Sequence, residues 1–284
     1  MAITKVGVLG CGLMGAGIAQ VAAQAGFTTV VREVNQAVLD KGLARINAIL
    51  EKDVSKGKLS AADRDASVAR LHGTTSFDDL ADCDLIIEAI VEQLPAKREV
   101  FTALDALCPP STIFVSNTSS LTIMEMAAVT KRPDRFAGLH FFNPVPVMKL
   151  VEIVRALTTS DETIAALHEF TRALGKTPID TSDTTGFIVN RLLVPFLLDA
   201  VRLLESGVAT REDIDEGMKL GCGHPMGPLT LLDFVGIDTV YSIANIMFDE
   251  FREPRFAPPP LLRRMMLAGH FGRKSGQGFY KYEG

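Results

Sequence analysis

Five histidines, His72, His140, His168, His224 and His270, are the imidazoles from which a general acid or base could come. His140 is the best placed of them. It follows the apolar run FAGL, expected to be a strand, and so stands at a strand's carboxyl end, where open α/β sheets place their ligand crevice. Asn143 and a proline-stiffened turn come directly after it. Glu152, in the next strand-like run MKLVEIV, could receive the proton on one imidazole nitrogen, fixing the tautomer that leaves the other nitrogen free for a substrate. By position alone, His140 also fits a core or turn histidine held by a backbone carbonyl, and Glu152 an ordinary ion pair. Ser119 and Ser120, in the strand-end run NTSS, could bind an alcohol or carbonyl oxygen, or could cap a helix starting near Leu121. Asn190 lies in an apolar helical stretch where an amide must be satisfied, as a substrate ligand or as an interdomain clamp. His224 in GCGHPMG reads as part of a structural turn, and no pair of residues has a metal-ligand spacing.

Gly10, Gly12 and Gly15 fit G-x-G-x-x-G directly after an apolar strand, with Leu13 and Met14 opening the helix that follows. The missing side chains permit a tight turn and the approach of a pyrophosphate, and the helix N-terminus supplies unpaired N–H groups to it. Glu33 ends the next strand, about twenty residues on, where a carboxylate accepts from ribose hydroxyls. In this context the motif predicts a dinucleotide rather than a structural turn or another nucleotide-like ligand. Glu33 opposes the extra phosphate of NADP while Arg32 could pair with it; NAD is the expected cofactor, with NADP the alternative. Glu88 and Glu92 flank the end of a buried strand, and one of them could sit near the nicotinamide or the histidine, or simply at the surface or a helix start.

These groups need a scaffold, and the length of 284 residues allows about two domains with a large core and no staples. A hydrophobic content of 47% with 22% charged residues indicates a globular chain, and 29 basic against 34 acidic residues leave no positive field for nucleic acid. Cys11, Cys83, Cys108 and Cys222 form neither a ligand spacing nor a disulfide framework, and no secretory signal opens the chain, so a cytoplasmic protein is expected. The most apolar stretch, GFIVNRLLVPFLLDAVRLLE, is interrupted by Asn190, Arg191, Pro195, Asp199 and Arg202, which argues against a membrane span. Strands and helices alternate up to residue 185: helix over about 35–56, a shorter one over 59–71, a strand at 84–90, helix over 97–107, the strand TIFVS, the run around His140, the strand MKLVEIV and a helix over 162–174. That alternation predicts a mostly parallel sheet covered on both faces. From Gly186 onward helices dominate, over 187–206, 211–220, 229–251 and 261–268. The fold class is therefore α/β, a Rossmann-type dinucleotide-binding domain over 1–185 followed by an all-helical domain over 186–284. The glycine-rich, basic ending GRKSGQGFYKYEG is a packed tail or a loop.

The blocks VGVLGCGLMGAGIAQ, CDLIIEAIVEQ, SNTSSL, GLHFFNPVPVMKLVEIV, TTGFIVNRLLVP, KLGCGHPMGPLTLLDFVGID and GRKSGQGFY carry a resemblance that runs from end to end. The chain resembles the short-chain L-3-hydroxyacyl-CoA dehydrogenases, and most of all the stand-alone bacterial 3-hydroxybutyryl-CoA dehydrogenases. The resemblance implies that His140 is the catalytic base, that Glu152 orients it, that Ser119 and Asn190 hydrogen-bond the substrate's 3-oxygen, and that Asn143 supports the pocket. Glu92 and Lys97 match cofactor-contacting residues, and Ser119 and Asn143 also belong to that side. Lys52 and Lys56 are candidates for the coenzyme A 3′-phosphate. Two departures are tolerable: Glu33 stands where Asp is frequent, and Cys11 where Ala is usual. The implied reaction is reversible hydride exchange between NAD and C3 of a short-chain (S)-3-hydroxyacyl-CoA or its 3-oxo partner. A broader chain-length enzyme of β-oxidation is the alternative. The helical domain resembles a closure and dimerisation domain, which implies a homodimer. Hydroxyacid dehydrogenases acting on carboxylates present a catalytic lysine instead, and a non-enzymatic dinucleotide-binding subunit need not keep His140, Glu152, Ser119 and Asn190 together.

Overall fold

The computed structural model describes residues 2–283, and the chain divides into two units between Thr184 and Thr185. The first unit runs β1 (Lys5–Leu9), α1 (Leu13–Gln24), β2 (Thr28–Arg32), α2 (Gln36–Ser55), α3 (Ala61–Ala69), β3 (Leu71–Thr74), β4 (Leu85–Glu88), α4 (Leu94–Leu107), β5 (Ile113–Ser116), α5 (Ile123–Ala127), β6 (Phe136–Phe141), β7 (Leu150–Arg155), α6 (Asp161–Ala173) and β8 (Thr177–Ser182). The strands form one sheet in the order β3-β2-β1-β4-β5-β6-β7-β8, parallel throughout except where β7 runs against β6. Successive residues of β4 and β5 are all buried, and because they point alternately to opposite sides, both faces of the sheet are covered. The order reverses between β1 and β4, the switch point at which a doubly wound sheet opens a crevice.

Register aligns the strand ends that matter. Arg32, Leu9, Glu88, Ser116 and Gly138 form one row across five strands. Paired residues share a face and the side-chain period is two, so His140 lies on the same face as Glu88 and Ser116. Across the antiparallel pair, His140 is registered directly opposite Glu152.

Two sequence readings of this unit change, and one unassigned run proves to be a strand. The run TPIDTSDTTG contains a full edge strand, β8, although its burial alternates weakly, and β3 is a short edge strand beginning where the 59–71 helix was expected to end. The helix expected to start near Leu121 starts at Ile123 and is not capped by Ser119 or Ser120. The carboxylate of Asp183 instead accepts from the N–H groups of Ile123 and Met124, both at 2.8 Å.

The second unit is helical: α7 (Val189–Glu205), α8 (Arg211–Cys222), α9 (Pro228–Val235), α10 (Ile237–Phe251) and α11 (Pro260–Leu267). Its own core gathers Val194, Leu198, Leu229, Leu232, Ala244 and Phe256. The single helix expected over 229–251 is broken at Gly236, whose φ of 104° no helix tolerates, and the two pieces meet at 95°. Among the described residues no single helix is long and apolar enough to cross a membrane; α9 and α10 reach that length and composition only together, across the bend. The C-terminal segment is packed. Asp233 of α9, itself buried, accepts from the N–H groups of Phe279 and Tyr280 and from the Tyr282 hydroxyl, each at 2.9 Å.

Candidate active site

Where β1 ends, Gly10 takes a φ of 91° and a side chain there would run into the Ala89 carbonyl. A Cβ on Gly15 would fall 2.0 Å from the Gly10 carbonyl oxygen, so helix α1 can begin this close to the strand only with glycine. A Cβ on Gly12 would meet nothing within 4 Å. That position is the N-cap of α1 and offers no side-chain cap, which leaves the first-turn N–H groups available to an anion, with open space above them. Leu13 is exposed and Met14 half-buried at the same turn. Glu33 follows β2, and its two carboxylate oxygens accept from the N–H groups of Cys11 (2.9 Å) and Val34 (2.8 Å), fixing a negative charge beside the loop. The guanidinium of Arg32 lies 4.0 Å over the ring of Phe77. The uncapped turn and the anchored carboxylate fit the pyrophosphate and ribose of NAD.

At the end of β6 the imidazole of His140 is 4% exposed. Its Nδ1 is 2.6 Å from Oε2 of Glu152, which is 1% exposed, and its Nε2 is 3.2 Å from the hydroxyl of Ser119. A carboxylate can only accept, so Nδ1 carries the proton and Nε2 presents its lone pair toward Ser119. Phe142, two residues on, sets its ring 4.5 Å from the imidazole. The loop after β5 that bears Ser119 is tied down by Glu92. One oxygen of that carboxylate accepts from the Thr118 hydroxyl, from the Ser119 N–H at 3.2 Å and from the Ser120 hydroxyl at 3.2 Å. Lys97 is buried against Glu88 at 2.6 Å and Glu92 at 3.2 Å.

Of the residues singled out from sequence, His140, Glu152, Ser119, Glu92 and Lys97 thus come together in one connected cluster. Gly10, Gly12, Leu13, Met14, Gly15 and Glu33 form the loop at the neighbouring strand ends. Asn143 is exposed in the turn after β6, where its bond to Pro144 is cis. Asn190 stands half-buried in the first turn of α7, in the second unit. Lys52 and Lys56 are exposed at the C-terminal end of α2, with Lys52 roughly 15 Å along the axis, at 1.5 Å per residue, from Gly42, where the helix packs against Cys11 of the loop. Two of the other histidines serve elsewhere: His168 pairs with Asp180 at 2.7 Å and His224 meets Phe196 edge to face.

Three contributors escaped the sequence reading. Asn117 accepts the N–H of Phe141 at 2.8 Å and so ties the end of β6 to the end of β5. Thr118 caps its own loop through the N–H of Leu121 at 2.9 Å. Lys176 donates to the carbonyls of Val145 (2.6 Å) and Met148 (2.7 Å), pinning the proline turn after His140, and burial pushes its pKa below the usual lysine value. SNTSS marks a polar strand end, but the partner of Asn117 is 24 residues away and that of Lys176 is 31, a separation no local pattern reports.

A doubly wound sheet carrying a glycine cradle beside a buried Glu–His–Ser relay defines a dinucleotide-dependent dehydrogenase. Residues 5–184 match the family model for the 3-hydroxyacyl-CoA dehydrogenase NAD binding domain, and residues 186–282 match that for the 3-hydroxyacyl-CoA dehydrogenase C-terminal domain. The chain belongs to the 3-hydroxyacyl-CoA dehydrogenase family. It is 50% identical over 283 residues to a 3-hydroxybutyryl-CoA dehydrogenase of Mycobacterium tuberculosis, covering 99% of each chain. The crystal structure of M. tuberculosis FadB2 matches with a TM-score of 0.98 at 50% identity over 100% of both chains. That of (S)-3-hydroxybutyryl-CoA dehydrogenase PaaH1 from Ralstonia eutropha matches with a TM-score of 0.96 at 45% identity, again over 100% of both.

Proposed function

We propose that this chain catalyses the reversible, NAD-linked oxidation of (S)-3-hydroxybutyryl-CoA to acetoacetyl-CoA. The observation that carries the reading is the relay in which His140 is held between Glu152 and Ser119. Relatives named for that activity, 50% and 45% identical along the whole chain, support the choice of substrate. Bound at the glycine loop, NAD supplies the hydride chemistry. In the oxidation Nε2 of His140 takes the proton of the substrate's 3-hydroxyl, while Nδ1–H keeps its hydrogen bond to Glu152. The imidazolium so formed is offset by the Glu152 carboxylate. Ser119 donates to the 3-oxygen and stabilises the negative charge that develops there. In the reverse direction Nε2–H returns the proton. Asn190 is proposed as a further hydrogen-bond donor to the substrate and Asn143 as a support of the pocket. Glu33, a fixed negative charge, favours NAD over a cofactor bearing a 2′-phosphate. The protein is further proposed to work as a cytoplasmic homodimer; light scattering at working concentration would return twice the chain mass, and a monomer would contradict this.

The test is an initial-rate assay with acetoacetyl-CoA, comparing NADH with NADPH and then longer 3-oxoacyl-CoAs. Activity with NADH that falls on lengthening the acyl chain is the expected result. Each methylene is worth only about 1–3 kcal/mol, so a flat chain-length profile would favour the broader enzyme. His140→Gln is expected to lower turnover about a hundredfold or more, and Ser119→Ala and Asn190→Ala to lower kcat/KM by about tenfold or more. Near-normal turnover of the His140 variant would sink the reading.

A further inference from the structure

Glu88 has no part in the mechanism above, yet it is the most completely enclosed charge near it, with 0% of its surface exposed. It ends β4, between Leu9 and Ser116 in the row of strand ends. A carboxylate withdrawn from water is costly unless both its oxygens find donors, and here three donors are present. Oε1 accepts from the Ile90 N–H at 2.7 Å and the Lys97 ammonium at 2.6 Å, and Oε2 accepts from the Ser116 hydroxyl at 2.5 Å. Lys97, 1% exposed, is shared with Glu92 at 3.2 Å. Glu92 in turn receives the Thr118 hydroxyl, the Ser119 N–H and the Ser120 hydroxyl. The same Ser116 hydroxyl also accepts the Thr118 N–H at 3.2 Å. Two branches therefore run from Glu88 to the loop that carries Ser119. Apolar residues of similar volume would fill this space without the cost of burying charge. What they could not do is hold a carboxylate against three donors of that loop.

We propose that Glu88 is a positioning residue for the dehydrogenation. It fixes the Lys97 ammonium, which fixes Glu92, which sets the backbone of Ser119 so that its hydroxyl stays within hydrogen-bond distance of His140. The proposal rests on the roles given above to Ser119 and His140. Its test is a double-mutant cycle: kcat and KM with acetoacetyl-CoA and NADH for the parent, Glu88→Gln, Ser119→Ala and the pair. Glu88→Gln is expected to lower kcat about tenfold in the parent, since small misplacements of a working group carry losses of this order. In the Ser119→Ala background the same change is expected to cost less than about twofold, because the group it positions is gone. Equal losses in both backgrounds, or no loss in the parent, would overturn the proposal. Where Glu88→Gln fails to fold, Ser116→Ala leaves the ion pair intact and removes only the hydroxyl that joins Glu88 to Thr118. Its expected loss of about threefold should likewise vanish without the Ser119 hydroxyl, and persistence would count against the proposal. An inactive parent would overturn the functional reading and this inference with it, whereas an active parent with multiplicative losses overturns the inference alone.

Discussion

Cys11 sits within the glycine loop itself, and burial, aided by the nearby Glu33 charge, pushes its thiol up to about 11. Burial likewise raises Cys83 to about 12 and Cys108 to about 11, while Cys222 is exposed. The thiolate is the reactive form, so at pH 8 the three buried sulfurs are protonated as well as shielded. A disulfide reagent at that pH is expected to titrate one thiol rapidly in the folded protein and the rest only in denaturant, with Cys222→Ser abolishing the rapid phase. A second rapid thiol would show that a buried site opens. At the catalytic relay, Glu152→Gln is expected to lower kcat about a hundredfold, because an amide can present a donor to Nδ1 and so favour the tautomer with the proton on Nε2. Unchanged turnover would remove Glu152 from the mechanism. The types of His140, Glu152 and Ser119 were legible in the sequence, since His140 and Ser119 stand near strand ends and Glu152 within the strand that follows. Asp183 was not: it caps a helix 60 residues earlier in the chain, and only the register of β8 brings it there.

Among the elements, the strands that sequence patterning found are those buried on both faces, such as LIIE and IFVS, where an unbroken apolar run leaves little alternative. Edge strands β3 and β8 expose part of their length, and the patterning assigned neither as a strand. The break between α9 and α10 was missed because both flanks are apolar and helical, so a single glycine decides the bend. The glycine-rich tail was ambiguous for a related reason: only Phe279 and Tyr280 reach the apolar core, and much of its hold comes from polar contacts, above all those to the buried carboxylate of Asp233. That dependence can be measured. The Tyr282 hydroxyl donates to Asp233, and burial followed by this hydrogen bond raises its pKa from 10.0 to about 12. A phenol held protonated in the folded state stabilises fully below pH 10 and loses that contribution as pH rises through about 12. Tyr282→Phe should therefore cost about 1 kcal/mol at pH 8, a fall of roughly 4–8 °C in melting temperature for a unit of about 100 residues. The gap between parent and variant should narrow above pH 11. No gap at pH 8 would mean that the ring's packing, rather than its hydroxyl, holds the tail, and a gap undiminished above pH 11 would contradict the raised pKa.

At the scale of the whole molecule, a net charge of −5 has to coexist with a cofactor that is itself an anion. Bulk attraction cannot supply the affinity, so binding must come from local geometry, namely the uncapped N-terminus of α1 and the anchored carboxylate of Glu33. All of these groups belong to the first unit, whose core of Val6, Ile18, Val31, Ile87 and Val115 is separate from that of the helical unit. A ligand stabilises what it binds by mass action, and at a concentration of one hundred times Kd this amounts to about 2.7 kcal/mol. For a unit of about 180 residues that corresponds to a rise in melting temperature of roughly 5–10 °C. Calorimetry with NADH is therefore expected to move the transition of the first unit by this amount, and Glu33→Ala to reduce the shift. If the two units melt separately, the helical one should stay where it was. A first-unit transition unmoved by saturating NADH would refute the cofactor assignment directly, without reference to turnover. A larger shift with NADPH would mean that Arg32 leaves the face of Phe77 to pair with the extra phosphate and outweighs Glu33.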